Sequence, residues 1–281
     1  MSSRSVLPKI LSVFYLFALF NLVAQEEWLY APNANTTPIN QLKASGNACG
    51  PAALLNASQM GEKKWQASFA AIPGQNDRNR ILSLIKKYGI VRSAHIPTRL
   101  RYNSNKGINV ADLTDMANDM RVSRWQPKLN YQLLFRDERT PSQRQLEETH
   151  ALLRKSLKKG YPPVLHLQRV ARRHFKRSQQ IIWMPVKSHF VVLTGLPDRI
   201  PRGSTSFPVT YLDPWGGRHL RGIIRVPKAE FRALPVISGH DVNNAISPNL
   251  VAEFPKSRVG LSLVGKNEAS ALTLASAIGD F

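Results

Sequence analysis

Near residue 160 the hydrophobic pattern of this chain changes period, and that change limits the fold more than any other feature. Before it, apolar residues recur at helical spacing. Gly50-Pro51 opens one such run, with proline tolerated in a first turn where its missing N–H has no partner anyway, and Ala52 to Met60 are mostly good helix formers. Arg78 to Tyr88 carries Ile81, Leu82, Leu84, Ile85 and Tyr88, and Gly89 stops it. Asn109 to Met120 repeats the spacing with Val110, Leu113, Met116 and Ala117, and a longer helix is expected from Pro141 to Lys159. After the change, Pro163–Val170, Ile181–Met184, His189–Thr194, Val209–Asp213 and Gly222–Val226 read as strands. Helices first and strands second is the order of an α+β arrangement, with a helical first half packed on an antiparallel sheet from the second half. From Pro235 onward the pattern is weak, and Ser270 to Ile278, small and apolar, reads as a final helix.

The first residues read as an export signal. Arg4 and Lys9 form a positive start, Ile10 to Val23 is apolar apart from Ser12 and Asn21, and Ala24 offers a small residue near a cut. The run is short for a membrane span, although an uncleaved anchor is the alternative. Residues 1–24 are therefore expected to be a signal peptide or N-terminal anchor. Residues 25–281 are expected to be one domain, with 235–281 as a C-terminal extension. Outside the cytoplasm a lone thiol cannot form an internal disulfide, and Cys49 is the only cysteine. The net charge of +21, or +19 once Arg4 and Lys9 leave with the leader, favours anionic partners such as an acidic substrate, an anionic surface or a glycan. No nucleic-acid-binding motif, phosphate loop or Cys/His metal pattern accompanies the charge, so neither cofactor nor metal is expected.

Cys49 stands where the first helix should begin. A helix start favours a thiolate through its free N–H groups and dipole. A nucleophilic cysteine also needs a base, an orienter for that base and a holder for the developing oxyanion. Of seven histidines, His189 is the best placed for the base, because it opens the apolar strand His189-Phe-Val-Val-Leu-Thr behind the polar pair Lys187-Ser188. Asp213 ends the strand Val209-Thr-Tyr-Leu-Asp213 before a Pro-Trp-Gly-Gly turn, and an antiparallel pairing would bring it to His189 as orienter. His166, inside a strand, is the fallback base. Trp215 is read as a packing residue that could shield the His–Asp pair.

The order Gln41…Cys49-Gly-Pro-Ala…His189-Phe-Val-Val-Leu…Asp213-Pro-Trp-Gly resembles the papain-like cysteine peptidase superfamily, and most of all its branch of bacteriocin-leader-processing peptidases and their exported stand-alone relatives. The resemblance spans Gln41 to Val226. The 140 residues from Cys49 to His189 fall within the papain-type range. It implies a papain-like fold, Cys49 as nucleophile, His189 as general base and acid, Asp213 as orienter and Gln41 as oxyanion donor. Two features depart from the family. Its glutamine stands nearer to the cysteine than the eight residues seen here, which leaves Asn47 or backbone N–H groups as alternative donors. A basic insert with Arg169, Arg172, Arg173, His174, Lys176 and Arg177 is also expected to loop out near the rim of the cleft. The expected function is an exported cysteine peptidase or amide hydrolase acting on peptide or protein substrates. Acyl transfer of the transglutaminase or phytochelatin-synthase kind and a non-catalytic module for an anionic partner are the alternatives.

Overall fold

The computed structural model of the protein describes residues 27–135, 142–174, 181–228, 232–233 and 247–281. The expected leader, His240 and the insert residues Lys176 and Arg177 lie outside the described residues. Among the described residues no helix is long and apolar enough to cross a membrane.

Helix α1, Cys49–Met60, is built from small and aliphatic residues and is buried on nearly every side, as a helix without a polar face must be. Around it lie α2 (Lys63–Ala70), α3 (Asp77–Leu84) and α4 (Val110–Asp119). Asn76 caps α3 by accepting from the Asn79 N–H at 2.9 Å, and Asn109 caps α4 by accepting from the Asp112 N–H at 2.8 Å. A π-helical turn, Ile85–Gly89, extends α3 to the glycine expected to stop it. Helix α5, Ser142–Lys158, leads into the strands. Arg154 and Lys158 from α5 both pair with Asp198, which ties this helix to the segment just beyond the fourth strand.

The sheet is mixed in origin but mostly antiparallel. Its strands are β1 (Trp28–Tyr30), β2 (Asn130–Leu133), β3 (Val164–His174), β4 (Ile181–Pro197), β5 (Ser206–Asp213), β6 (Arg218–Arg225), β7 (Arg232–Ala233), β8 (Ser247–Pro248), β9 (Val251–Glu253) and β10 (Ser270–Gly279). The pairings β3–β4, β4–β5, β5–β6, β6–β9, β9–β10 and β10–β3 are all antiparallel and form a closed ring. Closure removes the open edges that an isolated sheet exposes. Along the ring Leu167, Leu274, Ile224 and Tyr211 are fully buried. Tyr211 stacks on Phe254 at 4.1 Å between ring centroids, a contact worth about 0.5–1.5 kcal/mol beyond burial. Gly222 makes room for it, since a Cβ there would lie 2.3 Å from the Phe254 ring.

Three expectations change. Ser270–Gly279 is a strand rather than a helix. It is flanked by β3 on one side and by β2 and β9 on the other, and its buried residues face no water on either surface. Burial of successive residues on both faces removes the alternation that marks a half-exposed strand. The segments Ile181–Met184 and His189–Thr194 belong to a single strand of 17 residues. The described part of the basic insert is also no loop. Arg169 to His174 pair with Ile181 to Lys187 as the outer half of the β3–β4 hairpin. Arg173 is held there by both carboxylate oxygens of Glu268, each at 2.9 Å.

Candidate active site

Cys49 is the first residue of α1, and it is only partly buried. The cap position before it is Ala48, which makes no side-chain hydrogen bond, and the first turn holds no acidic residue. Most helices satisfy their first N–H groups with a capping oxygen. Here the N–H of Gly50 and the N–H of Phe190 from β4 both donate to the Cys49 sulfur. Gly50 also sets the position of the helix start. A Cβ there would come within 2.5 Å of Ile108 Cγ2 and 3.2 Å of the Leu113 methyl groups, so only glycine lets α1 begin this close to α4.

His189 and Asp213 meet through strand register. Val192 lies opposite Leu212, so Asp213 faces Val191, and His189 is its diagonal neighbour on the same side of the sheet. Asp213 Oδ1 lies 2.8 Å from His189 Nε2 and also accepts the Trp215 N–H at 2.9 Å. Its other oxygen faces the Arg218 guanidinium at 3.6 Å. The turn that carries Trp215 over the carboxylate needs Gly216 and Gly217, whose φ angles of +88° and +62° are left-handed. The Cys49 thiol is hydrogen-bonded to the His189 ring as well. With Nε2 committed to Asp213, Nδ1 is the nitrogen left for the thiol.

The electrostatics follow from these contacts. Burial pushes the Cys49 thiol up. The hydrogen bond and charge of His189, with the two N–H donors, outweigh burial and leave the thiol below its ordinary value. Burial pushes His189 down, and its bonds to Asp213 and Cys49 overcome this and raise it to about 9. Both shifts favour a thiolate beside an imidazolium.

Gln41 is fully buried in a short helical turn, Gln41–Lys43. Its backbone N–H donates to the Pro214 carbonyl at 3.0 Å, which fixes it beside the turn after Asp213. Its side-chain amide donates to the Gly46 carbonyl at 2.9 Å. The residues that lengthen the Gln41-to-Cys49 spacing are thus folded back onto Gln41 itself, and one amide hydrogen remains for another acceptor. Asn47 is less available as a donor. Its amide is taken by the carbonyls of Ser104 and Asn105 at 2.8 and 3.2 Å, while its oxygen accepts from Lys187 Nζ at 3.2 Å.

No protein-family model, curated protein or solved structure matches the chain.

Trp215 is 45 % exposed, and its ring lies over Gly46, where an added Cβ would meet it at 3.8 Å. His166 is not part of the cluster. It sits opposite Phe190 in the β3–β4 register, on the face away from His189, stacks on that ring and bonds Ser276 Oγ at 3.2 Å. Three contributors escaped sequence reading. The Phe190 N–H reaches the sulfur only because β4 passes the start of α1. Lys187 bridges from β4 to Asn47. Tyr102 is hydrogen-bonded to Ser45, and burial, joined by the Cys49 charge, pushes its hydroxyl up. No local motif marks any of the three. Elsewhere the ligand atoms of His95, Asp112 and Asp115 lie within 4.8 Å of one another. Those carboxylates are engaged by Ser93, Asn109, His95 and Arg101, a network that holds the loop after α3 against α4.

Proposed function

We propose that the protein is an exported cysteine hydrolase of the papain-like kind, acting on peptide or related amide bonds. The observation that carries this reading is the chain of contacts Cys49–His189–Asp213 at an uncapped helix start. The segregation of helices from an antiparallel barrel, with the thiol on the first helix and the His–Asp pair on the strands, supports the papain-like fold. The apolar leader in the sequence supports export.

In this reading the Cys49 thiolate attacks the substrate carbonyl carbon, forming a C–S bond while the carbonyl electrons move to oxygen. The Cys49 backbone N–H and the remaining Gln41 amide hydrogen steady that oxyanion. His189 gives its proton to the departing amine, the C–N bond breaks, and a thioester remains. His189, now neutral, takes a proton from water, whose oxygen attacks the thioester. Collapse releases the acid and restores the thiolate. Asp213 keeps the ring oriented and balances its charge throughout.

The test is labelling with iodoacetamide near neutral pH together with turnover of a peptide-amide library. Wild type should label and turn over substrate, and Cys49→Ala should do neither while remaining folded. Absence of labelling in the wild type would sink the thiolate. Added amine or thiol acceptors in the same assay separate hydrolysis from transfer.

A further inference from the structure

The thiol site leaves one buried charge unexplained. Arg169 of β3 lies directly opposite Lys187 of β4, an unfavourable pairing of like charges. The residue is 8 % exposed. Its Nε donates to the Val259 carbonyl at 2.9 Å, and neither Nη atom has an acceptor among the described residues. Arg173, four residues further on, shows the usual solution, with a glutamate on both arms of its fork. Among the described residues Arg169 has no such counter-charge, and burial pushes its guanidinium below the ordinary value. The Nη atoms are not among the buried side-chain atoms without a partner, so the stem is covered while the free end of the fork is reached from outside.

Arg169 lines a groove of about 840 Å³. The groove opens where the ring of strands is thinnest. A single register pair, Thr273 with Val251, joins β9 to β10, while Ser270, Ala271 and Leu272 pair with β3 on their other side. Pro208, Ile223, Phe254, Leu261 and Leu272 give it apolar walls. Arg221 and Arg225 add positive charge. Among the described lining residues the one carboxylate, Glu253, is already engaged by Arg225. Three arginines against one glutamate, set in hydrocarbon, is the inverse of an amphipathic anion.

We propose that this groove binds an organic anion with an apolar tail, its carboxylate or phosphate head on the Nη atoms of Arg169 and its chain along Ile223 and Leu261. A guanidinium fork matches either head in two-pronged geometry, which an ammonium would not. The volume lies within the range of small-molecule sites. The site does not depend on the thiol chemistry.

Calorimetric titration of the full chain with decanoate, decyl phosphate and decanol tests this. In wild type at least one anion should bind about tenfold or more tighter than decanol, because a charge-assisted bond to the head is present only for the anions. The tighter of the two names the head. Arg169→Met keeps the stem length, and it should lose that advantage while still binding decanol. Arg221→Met should lose less. The proposal is overturned if decanol binds as well as both anions, if neither anion binds at millimolar concentration, or if Arg169→Met binds the preferred anion like wild type. Should Arg169→Met fail to fold, the wild-type comparison of anion with alcohol carries the decision alone.

Discussion

Two histidines on adjacent strands of this protein are both buried and differ in almost everything else. His189 and His166 belong to neighbouring rungs of the β3–β4 ladder and project to opposite faces. His189 has a carboxylate on one side and a thiol on the other, and its pKa rises to about 9. His166 has a serine hydroxyl and a stacked phenylalanine. Burial, with the charge of His189 adding to it, takes its pKa down to about 4. Desolvation acts on both rings in the same direction. The partner decides the sign, so a buried strand histidine is not in itself a base.

The sharpest way to break this contrast is His189→Ala. Turnover should fall on the order of 10⁴-fold. Without the ring, burial is the leading influence left on the Cys49 thiol, so its pKa should rise and iodoacetamide labelling should move to alkaline pH. Labelling that stays at neutral pH would show that the helix start alone makes the thiolate. Asp213→Asn comes next, with a loss of about 10²–10⁴-fold, because an amide cannot balance an imidazolium. The same substitution should pull the alkaline limb of the wild-type pH profile down from about pH 9, where His189 loses its proton. On the acid side, wild-type activity should fall as the pH drops through the depressed thiol value. A profile without the alkaline limb would break the imidazolium assignment. Gly50→Ala is smaller. Overpacking against Ile108 should cost about 1–3 kcal/mol of stability in thermal melts and slow labelling several-fold, since the sulfur shifts with the helix start. His166→Asn is smallest, with turnover within about twofold of wild type. A loss like that of His189→Ala would erase the distinction between the two rings.

Much of this site is legible in the sequence, for a physical reason. Cys49 and Asp213 each sit at the end of a regular element, and those ends are marked by local signals, Gly-Pro after the cysteine and Pro-Trp-Gly-Gly after the aspartate, whereas His189 lies mid-strand and is marked by the apolar run that follows it. The structure brings all three together, and it places Gln41 against the turn beyond Asp213. What lay hidden was non-local. Ser270–Gly279 carries alanines that favour a helix by propensity, and pairing with β3, β2 and β9, all distant in the chain or across a loop, makes it a strand. The arginines of the basic insert conceal a strand because their pairing partners carry the hydrophobic pattern. The extra residues between Gln41 and Cys49 are held in place by the Gln41 amide itself, a contact that the spacing alone does not reveal.

The bare start of α1 has a consequence for the proposed reaction cycle. A helix that uses its own thiolate as a cap loses that cap whenever the sulfur becomes a neutral thioester. The first turn then frays a little at each acylation and anneals at each release. Amide hydrogen exchange at Gly50 and Ala52 should accordingly quicken in protein alkylated at Cys49. The chemistry and the local folding equilibrium of the helix are in this way one coupled process.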